Sequence, residues 1–193
     1  MRDFYDGEMA ERAVRPLGED RERRLAAFVD ECLRRGLERV LEVGCGGGRD
    51  GVPMQDAGLA YEGVDLSPVA VEICRGLGLS AQEALASALP FDDDAFDAAW
   101  TMSTLMHLEG DEMDVAVAEL GRVVRPGGLL EVGVWGHVSQ PEWVAEDGRY
   151  FRMRTDDEVR ELLGRVGEVE EFENWDLSDD GGRYQWARVR VRR

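Results

Sequence analysis

The chain has 193 residues, with 41 Asp and Glu against 23 basic side chains and a formal charge of −18; every basic residue is arginine, and lysine is absent. Without an ε-amine, a pyridoxal-phosphate Schiff base, a lysine aldolase, the P-loop lysine and the protein-kinase lysine are excluded. The negative balance also opposes unaided binding to nucleic acid or an anionic membrane, because both require a surplus of cations on one face.

Hydrophobic residues make up 44% of the chain, an ordinary share for a globular fold, and the length suits one domain. No apolar run approaches the ~20 residues that span a bilayer. Met1 to Glu8 lacks the apolar core of a secretory signal. Cys32, Cys45 and Cys74 have neither disulfide-like nor zinc-like spacing. These features point to a reducing cytoplasm.

In chain order, the apolar positions Leu25, Ala26, Phe28, Val29, Cys32 and Leu33 form a helical stripe between about Gly18 and Arg35. Arg39 to Val43 reads as a strand running into the glycines Gly44, Gly46, Gly47 and Gly48. A helix capped by Asp50 follows, to about Gly58. Tyr61 to Asp65 reads as a second strand, then a helix opened by Ser67-Pro68 and closed near Gly76. Leu79 to Glu83 is a short third strand, Phe96 to Thr101 a fourth. A helix over Glu112 to Val124 breaks at Arg125-Pro126-Gly127-Gly128. Leu129 to Trp135 has the continuous apolar character of a strand covered on both faces. Thr155-Asp156-Asp157-Glu158 carries a capping signal for a helix through Leu163. Glu168 to Trp175 and Arg183 to Val191 form a terminal hairpin. Alternating strands and helices of this kind predict a doubly wound α/β sheet, parallel until its last strand, with the ligand beyond the carboxyl ends of the strands.

The glycine loop follows the first strand, where its amides and the next helix can line a cleft. A dinucleotide cradle needs glycine where this chain has Arg49, so the spacing favours a nucleoside with a short amino-acid tail. Asp65, at the end of the second strand, can accept both ribose hydroxyls. The acidic turn Asp92 to Asp94 reads as solvated, and no metal site is expected.

Glu42-Val43-Gly44-Cys45-Gly46-Gly47-Gly48-Arg49-Asp50, Val64-Asp65-Leu66-Ser67-Pro68, Ala88-Leu89-Pro90-Phe91 with Phe96-Asp97, and Arg122 to Gly128 together resemble, in order, the motifs of the class I S-adenosylmethionine-dependent methyltransferases. The likeness covers about Leu25 to Leu163. Gly48-Arg49-Asp50 and Gly148-Arg149-Tyr150-Phe151 look like a bacterial, tellurite-type branch acting on small molecules. The resemblance implies a three-layer, Rossmann-like, seven-stranded sheet, mostly parallel with an antiparallel strand in the C-terminal hairpin. It implies a single domain over residues 1–193, with 1–36 as a helical lid and 37–193 as the core. The implied cofactor is S-adenosylmethionine, released as S-adenosylhomocysteine. Its implied contacts are Glu42, Gly44, Cys45, Gly46, Gly48, Arg49, Asp65, Leu66, Leu85, Ala86, Thr101 and Met102. Arg49 either pairs with the cofactor carboxylate or braces the loop. Leu85 stands where relatives often have Asp, so the adenine amino group needs Glu83, a backbone carbonyl or water. His107 is the implied base or acceptor-orienting group, and Tyr5, Trp135 and Tyr150 the implied acceptor contacts. The expected partner is a small-molecule acceptor, with no nucleic acid or membrane and a monomer or homodimer. The rival readings are an RNA methyltransferase, from the likeness of Val134-Trp135 and Arg149-Tyr150-Phe151 to wobble-uridine tRNA enzymes, and a silent cofactor-binding module.

Overall fold

A computed structural model describes residues 7, 15–137, 142–177 and 182–192. Five strands follow the apolar runs: β1 (Arg39–Val43), β2 (Ala60–Asp65), β3 (Ala81–Glu83), β4 (Phe96–Met102) and β5 (Val124–His137). A short hairpin, β6 (Glu142–Val144) and β7 (Tyr150–Arg152), stands apart from the main sheet. The last two strands are β8 (Gly167–Asp176) and β9 (Gly182–Val191). The sheet has seven strands in the order β3-β2-β1-β4-β5-β9-β8. All neighbouring pairs from β3 to β5 are parallel, whereas β9 is antiparallel to both β5 and β8. β9 is therefore the single reversed strand.

Strand periodicity creates two cores. In β1, Leu41 and Val43 face one side and Val40 the other. The first side packs against helix α4 (Glu112–Val123), through Met113, Ala116, Val117 and Leu120, and α5 (Asp156–Gly164), through Val159, Leu162 and Leu163. The second packs against α1 (Glu19–Arg35), through Leu25, Phe28, Val29 and Cys32, with Met54 of α2 (Gly51–Asp56) and Val71 and Cys74 of α3 (Pro68–Gly76). Burial of apolar side chains on both faces supplies the main driving force, at roughly 25 cal/mol per Å².

Helix ends follow their local chemistry. Ser67 Oγ accepts the Ala70 amide at 3.2 Å with Pro68 in the first turn, and Thr155 and Glu158 form a reciprocal capping box. α1 stops at Gly36, whose φ of 67° suits glycine. Asp50 differs from expectation: it stands at the start of α2 but makes no side-chain cap, because its carboxylate is drawn to Arg21 and Trp100.

The Arg125-Gly128 break is a bulge inside β5, not a gap before it. Phe96 pairs with Val124 and Ala98 with Leu129, so the intervening residues leave the ladder. Asp97 anchors this region: its Oδ1 accepts Arg125 Nε at 2.6 Å, and its Oδ2 accepts the amides of Glu38 and Arg39, each at 2.9 Å. The β1–β4 neighbours are where chain order reverses, which opens a crevice above their carboxyl ends. No helix among the described residues is long and apolar enough to cross a membrane.

Candidate active site

That crevice is a cavity of about 630 Å³, within the range of small-molecule sites. Its floor is the glycine loop. The amides of Gly44 and Cys45 donate to the Val64 carbonyl oxygen at 2.8 and 3.1 Å, which turns the chain away from β1. Gly44 has φ of 81°, and a Cβ there would overlap the Thr104 hydroxyl, so only glycine lets the loop after β4 close over it.

Asp65 binds the same loop. Its Oδ2 accepts the Gly46 amide at 2.8 Å and its Oδ1 the Ser67 amide at 2.9 Å. A carboxylate has about four acceptor positions, and these two bonds fix its orientation. Asp65, Leu66, Leu85, Ala86 and Ser87 form one wall of the cavity. Leu85, at 52% exposed, pairs with Ala88 across an isolated bridge that projects this wall into solvent.

A buried polar cluster also lines the cavity. Asp50 is 1% exposed and accepts from Arg21 Nε at 2.9 Å, Arg21 Nη2 at 2.5 Å and Trp100 Nε1 at 2.7 Å. Glu42, equally buried, accepts the Tyr61 hydroxyl at 2.6 Å. Burial, and next the nearby Asp50 charge, push the Glu42 carboxyl well above the usual carboxylate range.

The loop after β4 supplies the roof. Ser103 adopts φ of 57°, uncommon for a side-chain-bearing residue, with its amide on the Gly133 carbonyl oxygen at 2.7 Å and its hydroxyl 3.3 Å from the Tyr184 hydroxyl. A one-turn 3₁₀ helix (Leu105–His107) then delivers His107, 5% exposed, to the cavity. His107 Nδ1 lies 2.9 Å from the Tyr150 carbonyl oxygen, which can only accept. Nδ1 therefore carries a proton, and Nε2 is the ring nitrogen not engaged by this contact. Phe151 packs against the imidazole edge, with centroids 4.5 Å apart, and stacks on Trp143 and Trp135. The indole of Trp135, 36% exposed, reaches the cavity.

Most of the residues singled out in the sequence meet here: Glu42, Gly44, Cys45, Gly46, Arg49, Asp65, Leu66, Leu85, Ala86, Met102, His107 and Trp135 all line the cavity. Four others among the described residues stand elsewhere. Gly48 faces the packing beneath the loop, where a Cβ would come within 2.8 Å of Leu79 and 3.3 Å of Cys74, and Gly47 takes its place in the lining. Thr101 is fully buried on the other face of β4 from Met102, as strand alternation requires. Tyr150 turns its hydroxyl to Glu142 at 2.9 Å and serves the site through its carbonyl oxygen. Glu83, named for the adenine amino group, lies outside the lining, which instead holds Ser87. Tyr5 lies outside the described residues. Arg49 Nη1 donates to the Arg15 carbonyl oxygen at 2.9 Å, a bracing contact. Asp50, the last residue of the glycine-loop motif, also lines the cavity, as do Arg21, Ser103, Thr104, Glu109 and Glu112, which no sequence motif marks.

A doubly wound sheet with a glycine loop after β1, a carboxylate ending β2 and a cavity at the switch point defines an α/β protein that binds a nucleoside-type cofactor. A family model described as a methyltransferase domain matches residues 41–132. The O-methyltransferase rstn1 of Aspergillus nomiae is 30% identical over 161 residues, which span 75% of this chain and 70% of that protein. The O-methyltransferase resE of Aspergillus sclerotiorum is 31% identical over 145 residues, 67% of this chain; the chain spans about half of that relative's length, 54%. A Burkholderia thailandensis 1,6-didemethyltoxoflavin-N1-methyltransferase, solved with 1,6-didemethyltoxoflavin and S-adenosylhomocysteine, shares the fold with a TM-score of 0.71 at 22% identity, over 89% of this chain and 78% of that one. The chain belongs to the class I S-adenosylmethionine-dependent methyltransferase family.

Proposed function

We propose that this protein transfers a methyl group from S-adenosylmethionine to a hydroxyl oxygen of a small-molecule acceptor. The observation that carries the reading is the placement of His107, with its tautomer set by Tyr150, in the same cavity as the glycine loop and Asp65. When bound, the cofactor supplies a methyl group on positively charged sulfur, which an oxygen nucleophile can displace in line. The chain then has to hold, align and deprotonate.

The groups present fit that cofactor. Gly44 and Gly46 leave the backbone bare for the amino-acid portion, and Asp65 is oriented to accept from ribose hydroxyls. Leu66, Leu85 and Ala86 give the adenine an apolar slot, with the Ser87 side chain at its edge. Trp135 and His107 border the space left for the acceptor. An alcohol or phenol loses its proton on methylation, and Nε2 of His107 is the basic atom to receive it. The acidic lining, with Glu109 and Glu112, opposes a polyanionic acceptor such as RNA. Two relatives named O-methyltransferases support oxygen as the methylated atom.

Isothermal titration with S-adenosylmethionine tests the cofactor reading, and absence of binding at millimolar cofactor would sink it. Mass spectrometry of reactions with panels of phenols, alcohols and amines tests the acceptor. Products methylated on oxygen are expected; methylation confined to amines would overturn the hydroxyl assignment.

A further inference from the structure

The charged side chains in the cavity lining are mostly acidic, Glu42, Asp50, Asp65, Glu109 and Glu112, with guanidinium groups only from Arg21 and Arg49 among the described residues. S-adenosylmethionine carries a carboxylate on its amino-acid tail, and placing that charge among other acidic side chains is costly unless a cation pairs with it. The two arginines differ. Arg49 also lines the cavity, but its Nη1 is committed to the Arg15 carbonyl oxygen at 2.9 Å, and the residue borders a separate groove between α1 and α2 as well.

Arg21 is built into the site. It projects from α1 across to the start of α2, where Asp50 takes its Nε and Nη2 together. Asp50 is itself fixed by the Trp100 indole beneath it. The guanidinium is thus gripped along one edge by a buried anion while its side chain, 25% exposed, faces the cavity. A planar fork held this way loses little further freedom on meeting a second carboxylate. Asp50 offsets the Arg21 charge from the buried side, and the part of the guanidinium that Asp50 does not cover is what this corner presents to the cavity.

We propose that Arg21 recognises the carboxylate of the cofactor's amino-acid tail. This makes α1 part of the cofactor site and sets a preference for the carboxylate-bearing cofactor over its decarboxylated counterpart. The inference rests on the cofactor reading above and adds a specificity-determining residue to it.

The test is a comparison of ligands in direct binding measurements on the full chain, using S-adenosylhomocysteine, S-adenosylmethionine, decarboxylated S-adenosylmethionine and 5′-methylthioadenosine. Arg21→Met is expected to weaken the first two by at least about tenfold, as loss of a charge-assisted hydrogen bond does. It should leave the last two within about twofold of wild type. Arg21→Lys, which keeps the charge but loses the fork, should fall between, and it carries the test if Arg21→Met does not fold. Equal losses for all four ligands would assign Arg21 a purely structural role and overturn the proposal. So would a preference unchanged in both variants, or one erased by Arg49→Met instead. Failure of the wild-type chain to bind any of the four would remove the cofactor reading itself.

Discussion

The amide of Gly46 donates to Asp65 Oδ2 at 2.8 Å, and this bond joins the end of β1 to the end of β2 as one ligand-binding device. The Ser67 amide holds the other carboxylate oxygen. Asp65 is consequently aimed by its backbone neighbours before any ligand arrives, a preorganisation that reduces the ordering cost of binding. Asp65→Ala is expected to weaken cofactor binding about 10- to 100-fold, the range for hydrogen bonds to a charged group. Titration of an analogue lacking the ribose 2′-hydroxyl supplies the control: it should bind wild type less well than the parent compound, with the difference shrinking in Asp65→Ala. An undiminished difference would contradict the ribose contact.

Gly44 is the position at which the loop tolerates no side chain. A Cβ would overlap Thr104, and its φ of 81° is itself unfavourable for alanine. The backbone strain costs about 1–2 kcal/mol and the overlap about 1–3 kcal/mol. Gly44→Ala should therefore lower unfolding free energy by a few kcal/mol and displace the loop after β4, reducing cofactor affinity as well. Denaturant melts and titration of the same sample check both effects. Gly58→Ala offers the contrast: φ there is 91°, but nothing lies within 4 Å of an added Cβ, so only the backbone cost should appear.

The fold was legible because β1, β2 and β4 are short, largely apolar runs between glycine or proline signals, and two-residue periodicity assigns the faces of β9 directly. The hairpin β6–β7 is written only in Asp147-Gly148, a turn signal flanked by strands of three residues each. The site was legible where its residues are neighbours in sequence, as in Gly44 to Gly46 or Val64 to Ser67. It was not where distant elements converge: Arg21 and Asp50 are 29 residues apart, and Asp50 and Trp100 are 50 apart. Spacing also makes Gly48 look like part of the cradle, whereas its freedom from a side chain serves packing against Leu79 and Cys74. Thr101 and Met102 are adjacent, yet only Met102 reaches the cavity, a distinction fixed by the parity of β4.

His107→Gln tests the proposed base while preserving local structure, because the glutamine amide can still donate toward the Tyr150 carbonyl oxygen. A general base contributes typically about 10²–10⁴-fold to rate. The variant should lose kcat by that order, with cofactor affinity within about twofold of wild type, since the role lies in the transfer step. Steady-state kinetics and titration separate the two quantities. Unchanged kcat would leave His107 a packing residue against Phe151.

Glu131 gives the stability of the fold a pH dependence independent of the active site. It is fully buried on β5, where it accepts Trp186 Nε1 at 3.1 Å and Arg188 Nε at 2.8 Å. Burial raises its pKa from the ordinary 4.5 to about 7, with the Arg188 charge opposing the rise. Between these values the folded chain binds more protons than the unfolded chain, so stability from this group is complete below about pH 4.5 and is lost as pH rises through about 7. The loss is on the order of 1–3 kcal/mol. Glu131→Gln removes the titration while keeping the shape and one acceptor. Relative to wild type, its unfolding free energy should therefore rise by about that amount between about pH 4.5 and about pH 8. Denaturant unfolding across that interval is the measurement, and a difference between variant and wild type that stays constant with pH would show that Glu131 does not take up the proton.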